Sequence, residues 1–114
     1  MVIGGNTLPS AYDGIATSYN FNREILGYNG QRDPIYADSY FLEWKIDRLE
    51  KAGMDWWVNT LLADGNSYEF TSITLYTAPS ATSSFGHCRV LRPTYERFDG
   101  FDYINAVISI VDIY

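Results

Sequence analysis

The sequence predicts a mainly β fold, an antiparallel β-sandwich or partly closed barrel with one flanking α-helix. Two stretches, centred near Phe21 and Trp44, alternate apolar and polar residues as half-buried strands do. A third stretch, residues 101–113, is apolar on both parities, which is typical of a strand that is covered on both faces. Only residues 49–63 have a helical period, so one helix is expected.

The size and composition of the chain fit one folded domain, residues 1–114. A chain of 114 residues forms a single core. Its hydrophobic fraction of 46%, against 19% charged residues, excludes a disordered tail. The chain has eight Lys and Arg residues and 14 Asp and Glu residues, which gives a net charge of −6. A negative charge is unfavourable for binding the phosphate backbone of nucleic acid. Specific nucleic-acid binding is therefore not expected.

Two segments lack a regular period. Residues 1–14 are rich in Gly, Asn, Pro and Ser, and they are predicted to form an irregular N-terminal arm. Residues 27–38 contain Asn29-Gly30, which favours a turn, and Asp33-Pro34, which opposes continuation into a helix. A long loop or hairpin tip is predicted there.

The central strand and the helix follow this loop. Tyr40, Leu42, Trp44 and Ile46 share one parity and face the core, while Glu43, Lys45 and Asp47 share the polar parity. The start of the helix is left open by the sequence. Asp47 and Glu50 have the spacing of a capping box, whereas Gly53 favours a start near Met54.

The C-terminal half is predicted to be β-rich. Residues 67–77 are dense in β-branched and aromatic side chains, and a strand with a possible bulge is expected there. A short strand is expected at residues 87–92, before Pro93, and the last strand follows the turn Asp99-Gly100. Because that last strand is apolar on both faces, the helix, a second sheet or a neighbouring subunit must cover it.

No group of residues predicts a catalytic, metal or cofactor site, and the chain is not expected to be an enzyme. Cys88 is the single cysteine and His87 the single histidine, which excludes an internal disulfide and leaves a zinc site incomplete. Neighbours on a strand point to opposite faces, so these two residues cannot form a nucleophile and base pair. Glu43 and Asp47 could serve a small hydrolase as an acidic pair, but a solvated strand face explains them better.

The aromatic residues are the one unusual feature of the composition, with 10 Tyr, 6 Phe and 3 Trp. Exposed aromatic rings anchor protein interfaces or stack on sugars. Trp57 lies about 100° from Trp56 around a helix, and one small core is not expected to hold both. Tyr28 and Tyr36 flank the predicted loop. We therefore expect Trp57 and the loop tyrosines at an interface, with a carbohydrate-binding module that stacks sugars on them as the alternative.

The order of these elements resembles that of small structural proteins in the tails of tailed bacteriophages. Tail tube proteins and the related completion and baseplate components are the nearest in pattern. The resemblance covers most of the chain and includes the strand from Tyr40 to Ile46 that leads into Met54-Asp55-Trp56-Trp57. The chain is short for a tube protein, so a terminator, completion or baseplate role stays open.

The resemblance implies a β-sandwich that assembles into a homo-oligomeric ring, commonly hexameric, whose sheets join across subunits to line a channel. Glu43 and Asp47 would line that channel, through which DNA passes without specific binding. The loop residues that would bridge neighbouring subunits are Tyr28, Asn29, Gly30, Asp33, Pro34 and Tyr36. Other tail proteins would be partners. The protein would be made in the host cytoplasm and reside in the virion tail, with no cofactor and no membrane contact.

Overall fold

The structure confirms a mainly β fold with two antiparallel sheets and a short flanking helical segment. The computed structural model describes the backbone of residues 1–9, 16–28, 30–31, 34–78 and 81–114. Within these ranges it describes every side chain except those of residues 16–17, 24–28, 34–38 and 78. The strands are β1 Val2–Ile3, β2 Asn6–Thr7, β3 Ala16–Tyr28, β4 Pro34–Glu50, β5 Ser67–Phe70, β6 Ile73–Ala78, β7 Ala81–Phe85, β8 Cys88–Leu91, β9 Arg97–Phe98 and β10 Asp102–Ile113.

The two sheets have open edges in the part of the chain that the structure describes. The larger sheet has the order β3-β4-β10-β8-β5, with β9 also paired to β10, and the smaller has the order β2-β1-β6-β7. All of these pairings are antiparallel. The sheets pack face to face, since Phe85 of the smaller sheet contacts the rings of Phe21 and Tyr40 in the larger.

The core lies between the sheets and is centred on β4 and β10. Cross-strand neighbours Leu42 and Ile110 are both buried, as are Trp44 and Ile108. The smaller sheet contributes buried residues to the same cluster, including Ile73. The other parity of β10 is only half-buried. Of the two apolar faces predicted for this strand, the inner one is therefore covered within the chain and the outer one incompletely.

The helix differs from the predicted span of 49–63. It begins as α1, Lys51–Asp55, and continues as a π-helix, Trp56–Leu61. Residues 49 and 50 stay in β4 because they still pair with Tyr103 and Asp102 of β10. The segment then ends in a turn where Ala63 and Asp64 have positive φ.

An irregular N-terminal arm was predicted at residues 1–14. The structure describes residues 1–9 of it, and these residues pack against the rest of the fold. β1 and β2 form a hairpin joined by Gly4 and Gly5, both with positive φ, as a tight two-residue turn requires. β1 also pairs with β6, and Ile3 is fully buried. Burial of Ile3 and Leu8 in the core, together with the pairing of β1 with β6, explains why this segment is not irregular. Residues 10–14 lie outside the described part.

The long loop predicted at residues 27–38 is mostly strand. Tyr28 still pairs with Pro34, and Ile25 pairs with Tyr36, so only residues 29–33 separate β3 from β4. The last pairing of β4 with β10 is at Tyr40, which leaves residues 25–28 and 34–36 as a two-stranded ribbon beyond the sheet. We call this segment the β3–β4 ribbon. The molecule is accordingly elongated, with extents of 51 × 30 × 28 Å.

We expect Gly4→Ala to lower the free energy of unfolding by about 2–3 kcal/mol, because the new Cβ would combine an unfavourable positive φ with overpacking. Gly4 has φ +56°, and a Cβ at this position would overlap the Phe70 ring. Gly5→Ala is the matched control, since φ is +83° but no atom lies within 4 Å, and it should cost only about 1 kcal/mol. Urea unfolding followed by circular dichroism measures both. Equal losses for the two variants would contradict tight packing of the hairpin on Phe70.

Candidate functional site

The predicted bridging residues lie in or next to the β3–β4 ribbon. Tyr28, Pro34 and Tyr36 belong to its paired backbone, and Gly30 is exposed near its tip. Asn29 and Asp33 lie outside the described residues. The described positions among them therefore lie together on a hairpin and not on a loop.

The prediction that Trp57 lies at an interface is wrong. Its side chain is 0% exposed and belongs to the core cluster, where its ring meets that of Trp56 edge to face at 5.1 Å. Trp56 takes the half-buried position instead. The buried residues of the helical segment are Gly53, Met54, Trp57 and Leu61, so Trp57 and not Trp56 lies on the face that packs against the core. Trp57 is equally excluded as a platform for stacking sugars.

The predicted channel-lining residues, Glu43 and Asp47, lie on the outer face of the larger sheet. They have the opposite parity to the buried Leu42, Trp44 and Ile46. Glu43 forms an ion pair with Lys45 at 3.4 Å, and both side chains are substantially exposed, so this pair stabilises the fold little. Arg89 and Glu69 pair further along the same face. The face is therefore of mixed charge, with its acids partly offset.

His87 and Cys88 point apart, as the strand geometry predicts. His87 Nδ1 lies 2.7 Å from the carbonyl oxygen of Asp112, and its ring stacks on Tyr114. Cys88 is fully buried, and burial raises the pKa of its thiol to about 11. A thiol held in its protonated form is a poor nucleophile.

The side chains that the structure describes include no group of three or more His, Cys, Asp or Glu residues that could hold a metal ion. None of the helical segments described is long and apolar enough to cross a membrane.

An exposed aromatic cluster at β9 and β10 was not predicted from the sequence. Phe101 is 81% exposed, and Phe98 and Tyr95 both contact the ring of Tyr103 at 4.7 Å. The sequence signal was the density of aromatic residues around the turn Asp99-Gly100, which periodicity could not assign to a face.

The turn beside this cluster is fixed by a polar network. Asp99 accepts hydrogen bonds from the backbone N–H groups of Asp102 and Phe101, and these bonds, with the nearby Arg48 guanidinium, lower the pKa of its carboxyl group. Arg48 bridges Asp99 and Asp102 at 3.1 and 3.2 Å. The network holds Phe101 at the apex of the turn, where its ring faces solvent.

A polar cleft of about 230 Å³ lies between the helical segment and the connection from β8 to β9. Polar or aromatic side chains on its walls are Asp55, Asn59, Asp64, Arg92, Tyr95 and Tyr103. Arg92 donates from Nη1 to the Asp64 carboxylate and to the Asp64 carbonyl oxygen, each at 3.1 Å. These residues come from three separate segments of the chain, so no periodic pattern or motif in the sequence indicates that they lie together.

Comparison of the chain with protein-family models, curated proteins and solved structures found no match.

We expect Trp57→Ala to lower the free energy of unfolding by about 3–5 kcal/mol, since it empties a fully buried site. Trp57→Phe should cost clearly less. It keeps most of the ring and removes Nε1, which is buried without a hydrogen-bond partner among the described residues. Trp56→Ala, at the half-buried neighbour, is the control. Urea unfolding measures all three, and a Trp57→Ala loss no larger than that of Trp56→Ala would contradict the burial.

We expect the Cys88 thiol to resist Ellman's reagent in the native protein at pH 8 and to react completely in urea. Its pKa is raised from 9.0 to about 11, so the native thiolate is scarce at pH 8 and the side chain is also shielded. The protonated thiol stabilises the fold fully below pH 9, and this contribution is lost as the pH rises towards 11. Rapid native labelling at pH 8 would contradict this assignment.

Proposed function

We propose that the chain is a non-enzymatic structural subunit that assembles with copies of itself into a ring or tube of a bacteriophage tail. The observation that carries the proposal is the β3–β4 ribbon, which extends past the last β10 pairing at Tyr40. A two-stranded ribbon is marginally stable alone in water, so contact with another subunit would stabilise it.

The open edges of the larger sheet support assembly between copies. β3 is a 13-residue edge strand, and the opposite edge is β5, with four residues. β3 contains no proline or lysine, and its protection as an edge is limited to charged residues such as Arg23 and to the register shifts in its pairing with β4. An edge that joins a different edge of the next copy makes a head-to-tail contact, and such contacts generate rings when the rotation closes.

The charge of the chain is compatible with a channel for DNA. The net charge of −6 disfavours binding to the phosphates of DNA. In a ring, a negative surface would be repeated on every subunit and would repel DNA from all sides of the channel. Glu43 and Asp47 would contribute negative charge to such a lining if the outer face of the larger sheet were turned inward. The ion pair of Glu43 with Lys45 reduces that contribution. The charge of the chain is therefore weaker support for a DNA channel than the ribbon is for assembly.

The ribbon can be tested by shortening it. We expect replacement of residues 25–37 by Asn-Gly to leave the sandwich folded, because the pairings of β4 with β10 lie outside the deleted segment. The wild-type protein should form rings or tubes, and the shortened variant should be monomeric. Light scattering across a concentration series, with negative-stain images of the same samples, measures the outcome.

Tyr76→Ala is the matched control, because it removes an exposed aromatic ring from the smaller sheet and leaves the ribbon intact. This variant should assemble like the wild type. A wild-type protein that stays monomeric throughout the series, or a shortened variant that still assembles, would overturn the proposal. Circular dichroism establishes that each variant is folded.

A further inference from the structure

The cleft beside the helical segment has the form of a small-molecule site. Its volume of about 230 Å³ suits a single ring and not an extended ligand. Met54 and Pro93, both buried, provide apolar surface, and Asp55, Asn59 and Arg92 provide polar groups. The lining is mainly polar over this small apolar base, which suits a ligand rich in hydroxyl groups better than an apolar ligand.

One wall of the cleft carries a supported aromatic ring. Tyr95 is half-exposed, and its ring meets that of Tyr103 edge to face at 4.7 Å. Tyr103 in turn contacts Phe98, with their ring centroids 4.7 Å apart. A ring held by neighbours loses little conformational entropy when a ligand stacks on it.

The polar groups of the cleft are open to a ligand. The Asp55 carboxylate and the Asn59 amide are exposed and form no hydrogen bond or ion pair with other residues that the structure describes. The Tyr103 phenol has a raised pKa, caused first by burial, then by Tyr95 and by the charge of Asp55, and stays a neutral donor. Arg92 uses only Nη1 in its bonds to Asp64, which leaves two guanidinium nitrogens as donors.

The charge of the cleft selects among ligand classes. Asp55, Asp64 and Arg92 sum to −1, and Arg92 is already paired, so an anion is disfavoured. Donors and acceptors together suit hydroxyl groups, each of which can donate and accept. An aromatic ring beside them suits the apolar face of a sugar. We infer that this cleft binds one pyranose unit of a carbohydrate, with Tyr95 stacking on the sugar ring and Asp55, Asn59 and Arg92 contacting its hydroxyls.

Saturation-transfer difference NMR tests this inference whether the protein is a monomer or a ring, because the signal comes from the ligand. The probes are glucose, galactose, mannose and N-acetylglucosamine, with putrescine as a cationic comparison. At least one sugar should give a saturable transfer signal. Tyr95→Ala should weaken its binding by about two- to tenfold through loss of stacking, and Asp55→Asn should weaken it through loss of a charged acceptor.

Tyr76→Ala is again the matched control, since this tyrosine is also about half-exposed but lies outside the cleft, and it should bind like the wild type. No transfer to any of the four sugars would overturn the inference. Sugar binding that Tyr95→Ala and Asp55→Asn leave unchanged would also overturn it, and so would saturable binding of putrescine alone. The inference does not rest on the assembly proposal, because shortening the ribbon should leave sugar binding unchanged.

Discussion

The pairing of β4 with β10 is the contact on which the rest of the fold depends. It joins opposite halves of the chain from Glu50 and Asp102 at one end to Tyr40 and Ile113 at the other. The entropy of closing the intervening chain opposes this pairing, and burial of the inner side chains against the smaller sheet offsets that cost. β3 then adds to the free edge of β4, and β8 and β9 add to that of β10. The helical segment begins where β4 stops pairing.

The sequence predicts the elements whose side-chain pattern is regular and local. The alternation around Trp44 was sufficient to identify β4, and the apolar residues of 101–113 identified β10 as a strand, although only one of its two apolar faces is fully covered within the chain. β7 was missed because its small polar residues are typical of a loop, and it forms by pairing with β6, a tertiary effect that composition does not encode. The predicted strand at 67–77 is in fact two strands in different sheets, β5 and β6, separated where its alternation slips.

The candidate sites were predicted less completely than the fold, for two physical reasons. Trp57 was assigned to the surface because adjacent helical residues point about 100° apart, and the sequence did not show that the buried face runs through Met54, Trp57 and Leu61. The cleft was not predicted at all, since Asp55, Arg92 and Tyr103 come from separate elements and share no spacing. The turn residues of the ribbon, by contrast, were identified correctly as a place where the chain reverses, because Asn29-Gly30 and Asp33-Pro34 carry that signal locally. What the sequence could not show was how far the flanking strands extend the hairpin.

The ribbon and the cleft lie at opposite ends of β4, and this separation decides how the two proposed activities can coexist. β4 has 17 residues, from Pro34 in the ribbon to Glu50 beside the helix. At about 3.3 Å per residue, a strand of that length spans roughly 50 Å, in agreement with the 51 Å long axis of the molecule. A neighbouring subunit that binds the ribbon therefore does not block the cleft of the same subunit through that contact. A ring built through the ribbons would carry one cleft per subunit, and weak binding of a single sugar ring at each would be strengthened when several engage one polysaccharide.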